Sequence, residues 1–376
     1  MRAYVYTDKS LERYAGRFVW LSVNTEAPQN AAFLKRYPIP ALPTLLVLDA
    51  DGKVRTRYVG GASVTQLGKL LDDASAKANV TDVAEKSLLE ADRLAADGKH
   101  AEAVKAYENA LAHAAKGWRK YGRTAESMLF SMSMADDNEH CAMRAIEIYP
   151  RVKGTVSAAT VASSGLSCAI AVDEKQEKRA QWMATLEKET REVFDDPKIT
   201  LSGDDRSGLF ITLIDARDAV KDEAGSLELK KQWAAFLEKV ASEAKTPEQR
   251  SVYDSHRLNA YLELGTPEKA IPMLEQSQHD FPTDYNPPAR LAIAYKAMKE
   301  YDQALAASDR ALVHVYGPRR LTVLSARADI FLAKGDAKAA RETIVQAVDY
   351  AKSLPEGQRS ERRIAGLEKR LASMQQ

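Results

Sequence analysis

The sequence predicts an α+β protein in which a short α/β segment precedes an all-α helical solenoid. Up to about residue 78 the chain holds short β-branched runs and an Asp-Gly turn signal. The rest is rich in Ala, Leu, Glu, Lys and Arg at helical spacing. A short motif also recurs there at an interval of about 34 residues, which is typical of stacked helix pairs. We therefore expect two domains, residues 1–78 and residues 79–376.

The composition excludes several classes of function. The 376 residues contain 54 Lys+Arg and 53 Asp+Glu, and the basic residues are scattered without an aromatic platform, so we expect no nucleic-acid partner. The two cysteines are too few for a disulfide framework or a four-ligand zinc site. The six histidines form no HExxH motif and no i, i+4 pair. We expect neither a metal site nor a cofactor.

Targeting and membrane signals are weak. The first residues lack the apolar run of a secretion signal, which makes a cytoplasmic location the default, and a signal preceding Met1 would instead indicate export to the periplasm. The uncharged run Gly154–Val172 is dominated by Ala, Ser, Thr and Gly. This composition favours a small-residue helix packed between neighbours over a membrane span.

The sequence of the first domain predicts the order helix remnant at Met1, strand, helix, strand, strand, helix. Asp49-Ala50-Asp51-Gly52 separates the second and third strands, so these should form a hairpin. Ser63 is a candidate N-cap for the closing helix. The predicted elements are a strand at Phe18–Val23, a short helix at Gln29–Tyr37, strands at Thr44–Leu48 and Val54–Val59, and a helix at Val64–Leu71.

This order resembles the C-terminal two-thirds of a thioredoxin fold. The most specific part is Leu42-Pro43-Thr44 leading into a strand, which is similar to the cis-proline segment of that family. The resemblance implies that Pro43 holds a cis bend and that Leu42 lines a peptide groove with Gly60 and Gly61 on its far side. The alternative is a trans proline that opens an edge strand.

The family's central strand and its redox-active cysteine pair are missing from residues 1–78. Without that pair there is no activated thiolate, so we expect the domain to be redox-inactive. Either the natural start lies upstream of Met1, or the remaining strands pair with each other or with a partner. Exposed strand edges would favour self-association.

Helix pairs are predicted for the remainder of the chain. The short motif that contains Ala270 recurs 34 residues later around Ala304 and 36 residues after that around Ala340. An earlier copy contains Ala103. These segments resemble the tetratricopeptide repeat, in which a small residue near the start of the second helix permits close crossing. Separate four-helix bundles are the rival interpretation. Looser pairs are expected at 123–149, 154–195 and 205–244, with a solvating cap at 356–374.

The concave face of such an array is the predicted binding surface. The Lys and Asn clamp with which some family members hold a peptide carboxylate is not matched, because the partner positions hold Ser255, Thr322 and Ala326. We expect the groove to bind an extended or helical protein segment by shape and scattered polar contacts, or else to be an ordinary solvated face. The predicted lining residues are Asn259, Arg290, Ile293, Lys296 and Asp329.

No residue pattern supports catalysis. His140 and Cys141 are adjacent, and adjacent helical residues do not face each other, so we interpret Cys141 as a buried thiol. The acidic pairs Asp136-Asp137, Asp195-Asp196 and Asp204-Asp205 lie at predicted turns, where they would cap helices.

Two functions remain. The first is a non-catalytic adaptor that binds protein or peptide segments through a thioredoxin-like module and a tetratricopeptide-like scaffold. The second is a truncated thioredoxin-like thiol-disulfide oxidoreductase, with a CxxC upstream of Met1 and an array that presents substrates.

Overall fold

The computed structural model describes residues 1–75 and 82–374, where nearly all regular structure is helical. The chain forms two compact units, the first comprising Met1–Arg17 and Pro38–Trp233 and the second comprising Phe18–Tyr37 and Ala234–Gln376. The expected boundary between residues 78 and 79 lies outside the described residues, and the division into domains 1–78 and 79–376 stays a prediction.

The elements follow one another in chain order. Three short 3-10 helices occupy Lys9–Tyr14, Pro28–Asn30 and Pro267–Lys269. The strands are β1 (Thr44–Leu48) and β2 (Val54–Val59). The helices are α1 (Ala31–Arg36), α2 (Val64–Ser75), α3 (Val83–Ala96), α4 (His100–Ala112), α5 (Tyr121–Met134), α6 (Asn138–Val152), α7 (Val156–Ala171), α8 (Arg179–Asp195), α9 (Gly203–Ala219), α10 (Glu223–Ser242), α11 (Pro247–Ser251), α12 (Asp254–Glu263), α13 (Ala270–Asp280), α14 (Asn286–Ala297), α15 (Tyr301–His314), α16 (Arg319–Lys334), α17 (Ala337–Ser353) and α18 (Glu361–Ser373).

The predicted hairpin is confirmed. Strands β1 and β2 pair antiparallel, with Thr44 opposite Val59. In the turn, Asp49 Oδ1 accepts hydrogen bonds from the backbone N atoms of Asp51 and Lys53 at 3.0 and 2.8 Å, and Gly52 takes a φ of 75°. An aspartate that holds the amides of the turn is the reason that this Asp-Gly sequence reverses the chain.

The predicted N-cap of the closing helix is also confirmed. Gln66 N donates to Ser63 Oγ at 3.2 Å, and Ser63 N donates to Gln66 Oε1 at 2.9 Å. This reciprocal pair is a capping box, which satisfies amides that helix α2 leaves unpaired at its start.

The predicted strand at Phe18–Val23 is wrong. Phe18 lies in a bend and residues 19–23 form no helix or strand, and the two strands in the described part of the chain pair only with each other. The physical reason is that Phe18–Tyr37 belongs to the second unit, whereas the hairpin packs on helix α3 in the first unit. The thioredoxin-like domain therefore stays a prediction.

Helix α7 occupies the interior of the first unit, as the small-residue run predicts. It packs against α6 and α8 in sequence and against α5 and α9 across the stack. At Gly165 an added Cβ would collide with Cβ of Ala145 and would lie 2.8 Å from Cδ2 of Leu186. No helix among the described residues has both the length and the apolar character needed to cross a bilayer.

A disulfide joins helices α6 and α7. Cys141 and Cys168 are bonded, with their Cα atoms 6.0 Å apart, and their exposed fractions are 0% and 3%. The interpretation of Cys141 as a buried thiol is therefore wrong, although its burial is as expected. The pairing could not be read from the sequence because 27 residues separate the two cysteines and only the crossing of the helices brings them together.

The second unit contains the helix pairs α14 with α15 and α16 with α17, which pack closely, and α12 with α13, which meet over a smaller area. The small residues that mark the repeat, Ala270, Ala304 and Ala340, are fully buried. Ala304 shares one core cluster with Leu274 and Ile330, which lie on helices of the preceding and following pairs. Each pair thus completes the core of its neighbours, and α18 covers the last pair at Ile364 and Leu367.

Candidate protein-binding surfaces

The second unit includes a segment from near the start of the chain, Phe18–Tyr37, which we call the strap and which runs without regular structure up to its 3-10 helix and helix α1. Glu26 binds the start of helix α16, where its carboxylate accepts hydrogen bonds from the backbone N of Arg319 at 3.0 Å and from Arg319 Nε at 3.3 Å. A carboxylate at this position satisfies an unpaired helix amide and opposes the positive end of the helix dipole. A second ion pair, between Lys35 Nζ and Glu356 Oε2 at 2.8 Å, joins the far end of the strap to the same unit.

The strap is also held by hydrogen bonds to its backbone. Gln358, only 7% exposed, donates from Nε2 to the carbonyl oxygens of Thr25 and Ala27 at 2.8 and 3.0 Å. Both contacts are to main-chain atoms at the turn before the 3-10 helix Pro28–Asn30, so they do not depend on the side chains of Thr25 and Ala27.

Two glycines permit the close approach of the strap. An added Cβ at Gly317 would collide with the carbonyl of Glu26, and one at Gly357 would collide with the carbonyl of Ala31. Gly317 also takes a φ of 58°, which side-chain-bearing residues rarely adopt. The loops before α16 and before α18 thus form a seat shaped for a polypeptide backbone.

The first residues of the strap are exposed. The exposed fractions of Val19, Trp20 and Leu21 are 89%, 50% and 76%. The rings of Phe18 and Trp20 meet edge to face, with centroids 6.3 Å apart. Consecutive exposed apolar residues are a common feature of interaction sites.

The predicted repeat-groove residues lie on the first helices of successive pairs, α12, α14 and α16. Asn259 is exposed and Ile293 is 40% exposed, so both are accessible. Arg290 is half-buried near Asp254 and Asp284, and burial lowers its pKa. Asp329 forms an ion pair with Arg370 of α18.

Three of the predicted groove residues are therefore accessible to a partner, namely Asn259, Ile293 and the partly exposed Lys296. The groove itself stays a prediction.

The predicted peptide-groove residues are partly brought together in the first unit. The Leu42–Pro43 peptide bond is cis, as the resemblance implies. Gly60 N donates to Pro43 O at 2.9 Å, the Leu42 side chain is 54% exposed, and an added Cβ at Gly61 would meet nothing within 4 Å. A binding role for these residues stays a prediction.

A cleft between helices α8 and α9 was not anticipated from the sequence. It has a volume of about 470 Å³. Glu187, which is 8% exposed, lies at its wall and binds Arg191 at 2.9 Å and also Arg217. The i, i+4 spacing of Glu187 and Arg191 is visible in the sequence, but the approach of Arg217 from the next helix is not.

One acid beside this cleft has a strongly shifted pKa. Burial, together with the negative charge of Glu192, raises the pKa of Glu189 to about 7. The pKa of Glu192 is lowered, chiefly by its hydrogen bond from Lys153. Helix α8 therefore carries one ionised acid next to one that gains or loses a proton near neutral pH.

Among the described residues, no group of three or more His, Cys, Asp or Glu side chains is placed so that it could hold a metal ion. The acidic pairs lie at helix ends, as expected. Asp205, for example, completes a capping box with Ser202 at the start of α9.

Comparisons with known proteins add a distant structural likeness. The chain is similar to a crystal structure of the APC/C hetero-tetramer Cut9–Hcn1, with 11% sequence identity and a TM-score of 0.37, over 82% of this chain and 55% of that chain. The chain thus spans just over half the length of the protein that it matches. No family model matches the chain, and no curated protein matches it. The helix pairs themselves define a solenoid-like array, the class that the repeat spacing predicts.

Proposed function

We propose that this chain is a non-catalytic scaffold whose helix-pair array binds protein or peptide segments. The observation that carries the proposal is the strap, because the second unit already holds a stretch of polypeptide through two main-chain carbonyls and one carboxylate. These contacts are of the kind that bind a partner peptide. The exposed residues Asn259, Ile293 and Lys296 would extend recognition to the first-helix face of the array.

The second candidate, a thiol-disulfide oxidoreductase, needs an accessible cysteine pair. Cys141 and Cys168 are the only cysteines in the sequence, and they are bonded to each other in the interior of the first unit. A bonded and buried pair has no thiolate to offer a substrate. These two cysteines therefore do not support dithiol exchange, and residues 1–78 contain no cysteine, so the oxidoreductase alternative still requires a CxxC upstream of Met1.

Binding can be tested with the full chain immobilised against a library of short soluble peptides, followed by titration of the selected peptides in solution. We expect saturable binding that weakens at least tenfold in Ile293→Arg. Val313→Arg is the matched control, because Val313 is an exposed residue on the second helix of its pair. A library without any saturable binder, or equal weakening in the two variants, would contradict the scaffold proposal.

The enzyme alternative has its own test. With dithiothreitol as reductant, the chain should not accelerate the reduction of insulin above the uncatalysed rate. Clear turnover that survives in a variant with both cysteines replaced by alanine would establish a different chemistry, and turnover that is lost in that variant would establish the oxidoreductase.

A further inference from the structure

A buried polar cluster joins the hairpin to helices α3, α4 and α5. Its centre is Asp92, whose side chain is fully buried. The Asp92 carboxylate accepts hydrogen bonds from Tyr107 Oη at 2.8 Å, from Arg123 Nη1 at 2.9 Å and from the backbone N of Arg57 at 3.3 Å. Three donors from three elements therefore satisfy this carboxylate, and Arg123 is the cation that forms an ion pair with it.

The guanidinium of Arg57 is not satisfied in the same way. Arg57 is 2% exposed, and its Nε and Nη2 atoms have no hydrogen-bond partner within the described part of the chain. Its Cζ lies 5.7 Å from the centroid of the Phe130 ring. A cation over an aromatic face gains some attraction, but this contact does not replace the acceptors that two buried N–H groups require.

A second unsatisfied group lies beside the same ring. His100, the first residue of α4, is 9% exposed and meets Phe130 edge to face with centroids 6.1 Å apart. Its Nδ1 atom also lacks a partner among the described residues. Burial and the positive charge of Arg57 lower the pKa of His100, so at neutral pH the ring is uncharged and can donate one N–H.

The charges near Arg57 bear on which ligand it can bind. The Asp92 carboxylate binds Arg123 directly and also attracts Arg57. Asp73 and the buried Glu126 are the other acids of the cluster, and both interact with Arg123. Leaving the Arg57 donors without acceptors in the interior is costly, and an anion supplies both acceptor atoms and the opposite charge.

We propose that Arg57 and His100 bind a small inorganic anion, such as phosphate or chloride, beside the ring of Phe130. Because Arg57 is only 2% exposed, the ligand that reaches its guanidinium would be a free ion rather than a phosphate group carried on a macromolecule. Phe130 is only partly buried and gives the site an edge near solvent. This site is separate from the scaffold function and does not depend on it.

The test uses the full chain and thermal unfolding at constant ionic strength, with sodium fluoride replaced stepwise by sodium phosphate or by sodium chloride. Because a ligand that binds only the folded state stabilises it, the melting temperature should rise by a few degrees and then saturate. In Arg57→Gln the rise should disappear. Arg55→Gln is the matched control from the same strand, and it should keep the full rise.

Calorimetric titration of phosphate and of chloride into the wild-type chain provides a readout that does not depend on Arg57→Gln being folded. We expect one site, with a dissociation constant raised at least tenfold in His100→Phe, a change that keeps a ring against Phe130. The proposal is overturned if neither anion gives a saturable signal with the wild type. It is equally overturned if Arg55→Gln and a folded Arg57→Gln respond alike.

Discussion

Glu26 and Arg319 lie 293 positions apart in the sequence, yet the Glu26 carboxylate accepts a hydrogen bond from the first backbone amide of helix α16. The acid thus acts as the N-terminal cap of a helix that belongs to a distant repeat. Pro318, the residue that precedes this helix, has no hydroxyl or carboxylate with which to cap it. The strap therefore stabilises the array as well as being held by it.

Replacing Glu26 by alanine should lower the free energy of unfolding by about 1–2 kcal/mol, because a helix cap and a favourable dipole contact are lost together. The measurement is urea denaturation followed by circular dichroism. Hydrogen exchange at residues 24–31 should quicken at the same time. Glu268→Ala, at an exposed position of the same unit, should change neither observable, and equal effects in both variants would show that Glu26 has no capping role.

Removing the disulfide by Cys141→Ala with Cys168→Ala should cost about 3–4 kcal/mol, the chain-entropy value for a cross-link that spans 27 residues. Urea denaturation of the wild type with and without reductant should show a matching difference. Thiol labelling of the denatured, unreduced protein is the control and should find no free cysteine. Two labelled cysteines would show that the bond does not form.

Overpacking should separate a repeat pair. Ala304 is fully buried where α15 crosses α14, so Ala304→Leu should destabilise the protein by about 1–3 kcal/mol. Ala306→Leu places the same side chain at an exposed position of the same helix and should stay within about 0.5 kcal/mol of the wild type. The measurement is the free energy of unfolding of both variants by chemical denaturation. Similar decreases in the two variants would argue against close crossing at Ala304.

The buried acid Glu126 should make stability depend on pH. Burial raises its pKa above the ordinary value of 4.5, and the neighbouring Ser157, Tyr58 and Arg123 oppose that rise only in part, while Asp205 adds to it. A raised folded pKa means that the folded state holds the proton more tightly. The stability that the proton contributes is therefore present below about pH 4.5. It is lost as the pH rises through the pKa that Glu126 has in the folded state.

Glu126→Gln should accordingly be more stable than the wild type at pH 7, by about 1–3 kcal/mol, and equally stable near pH 4. The check is denaturation at a series of pH values. Glu102→Gln, at an exposed position on α4, should follow the wild-type curve. A constant difference at all pH values would show that Glu126 is not the group responsible.

The exposed strap residues and the two-stranded sheet lead to a prediction on assembly. We expect some self-association at high concentration, measured by light scattering after size exclusion, because Val19 and Leu21 are largely exposed apolar residues and the two-stranded sheet has open edges. Val19→Lys with Leu21→Lys should reduce it. A wild type that stays monomeric at all concentrations would refute this expectation.

Local signals made the helix pairs predictable. Ala270, Ala304 and Ala340 recur at a fixed spacing after a turn, and turn chemistry at Asp49 and Gly52 fixed the hairpin. The disulfide, the cleft and the seat of the strap depend instead on contacts between residues that are far apart in the sequence. The Cys141–Cys168 bond, the Glu187–Arg217 ion pair and the seat of the strap each join residues from different elements, and hydrophobic periodicity carries no information about them.

The division of the chain has a practical consequence for fragment design. Neither compact unit is continuous in sequence, because residues 18–37 belong with residues that begin at 234. A fragment that starts at residue 79 would lack the carbonyls of Thr25 and Ala27, which leaves the buried amide of Gln358 without those acceptors. Expression of the repeats alone should therefore give a less stable product unless the strap is supplied as a separate peptide.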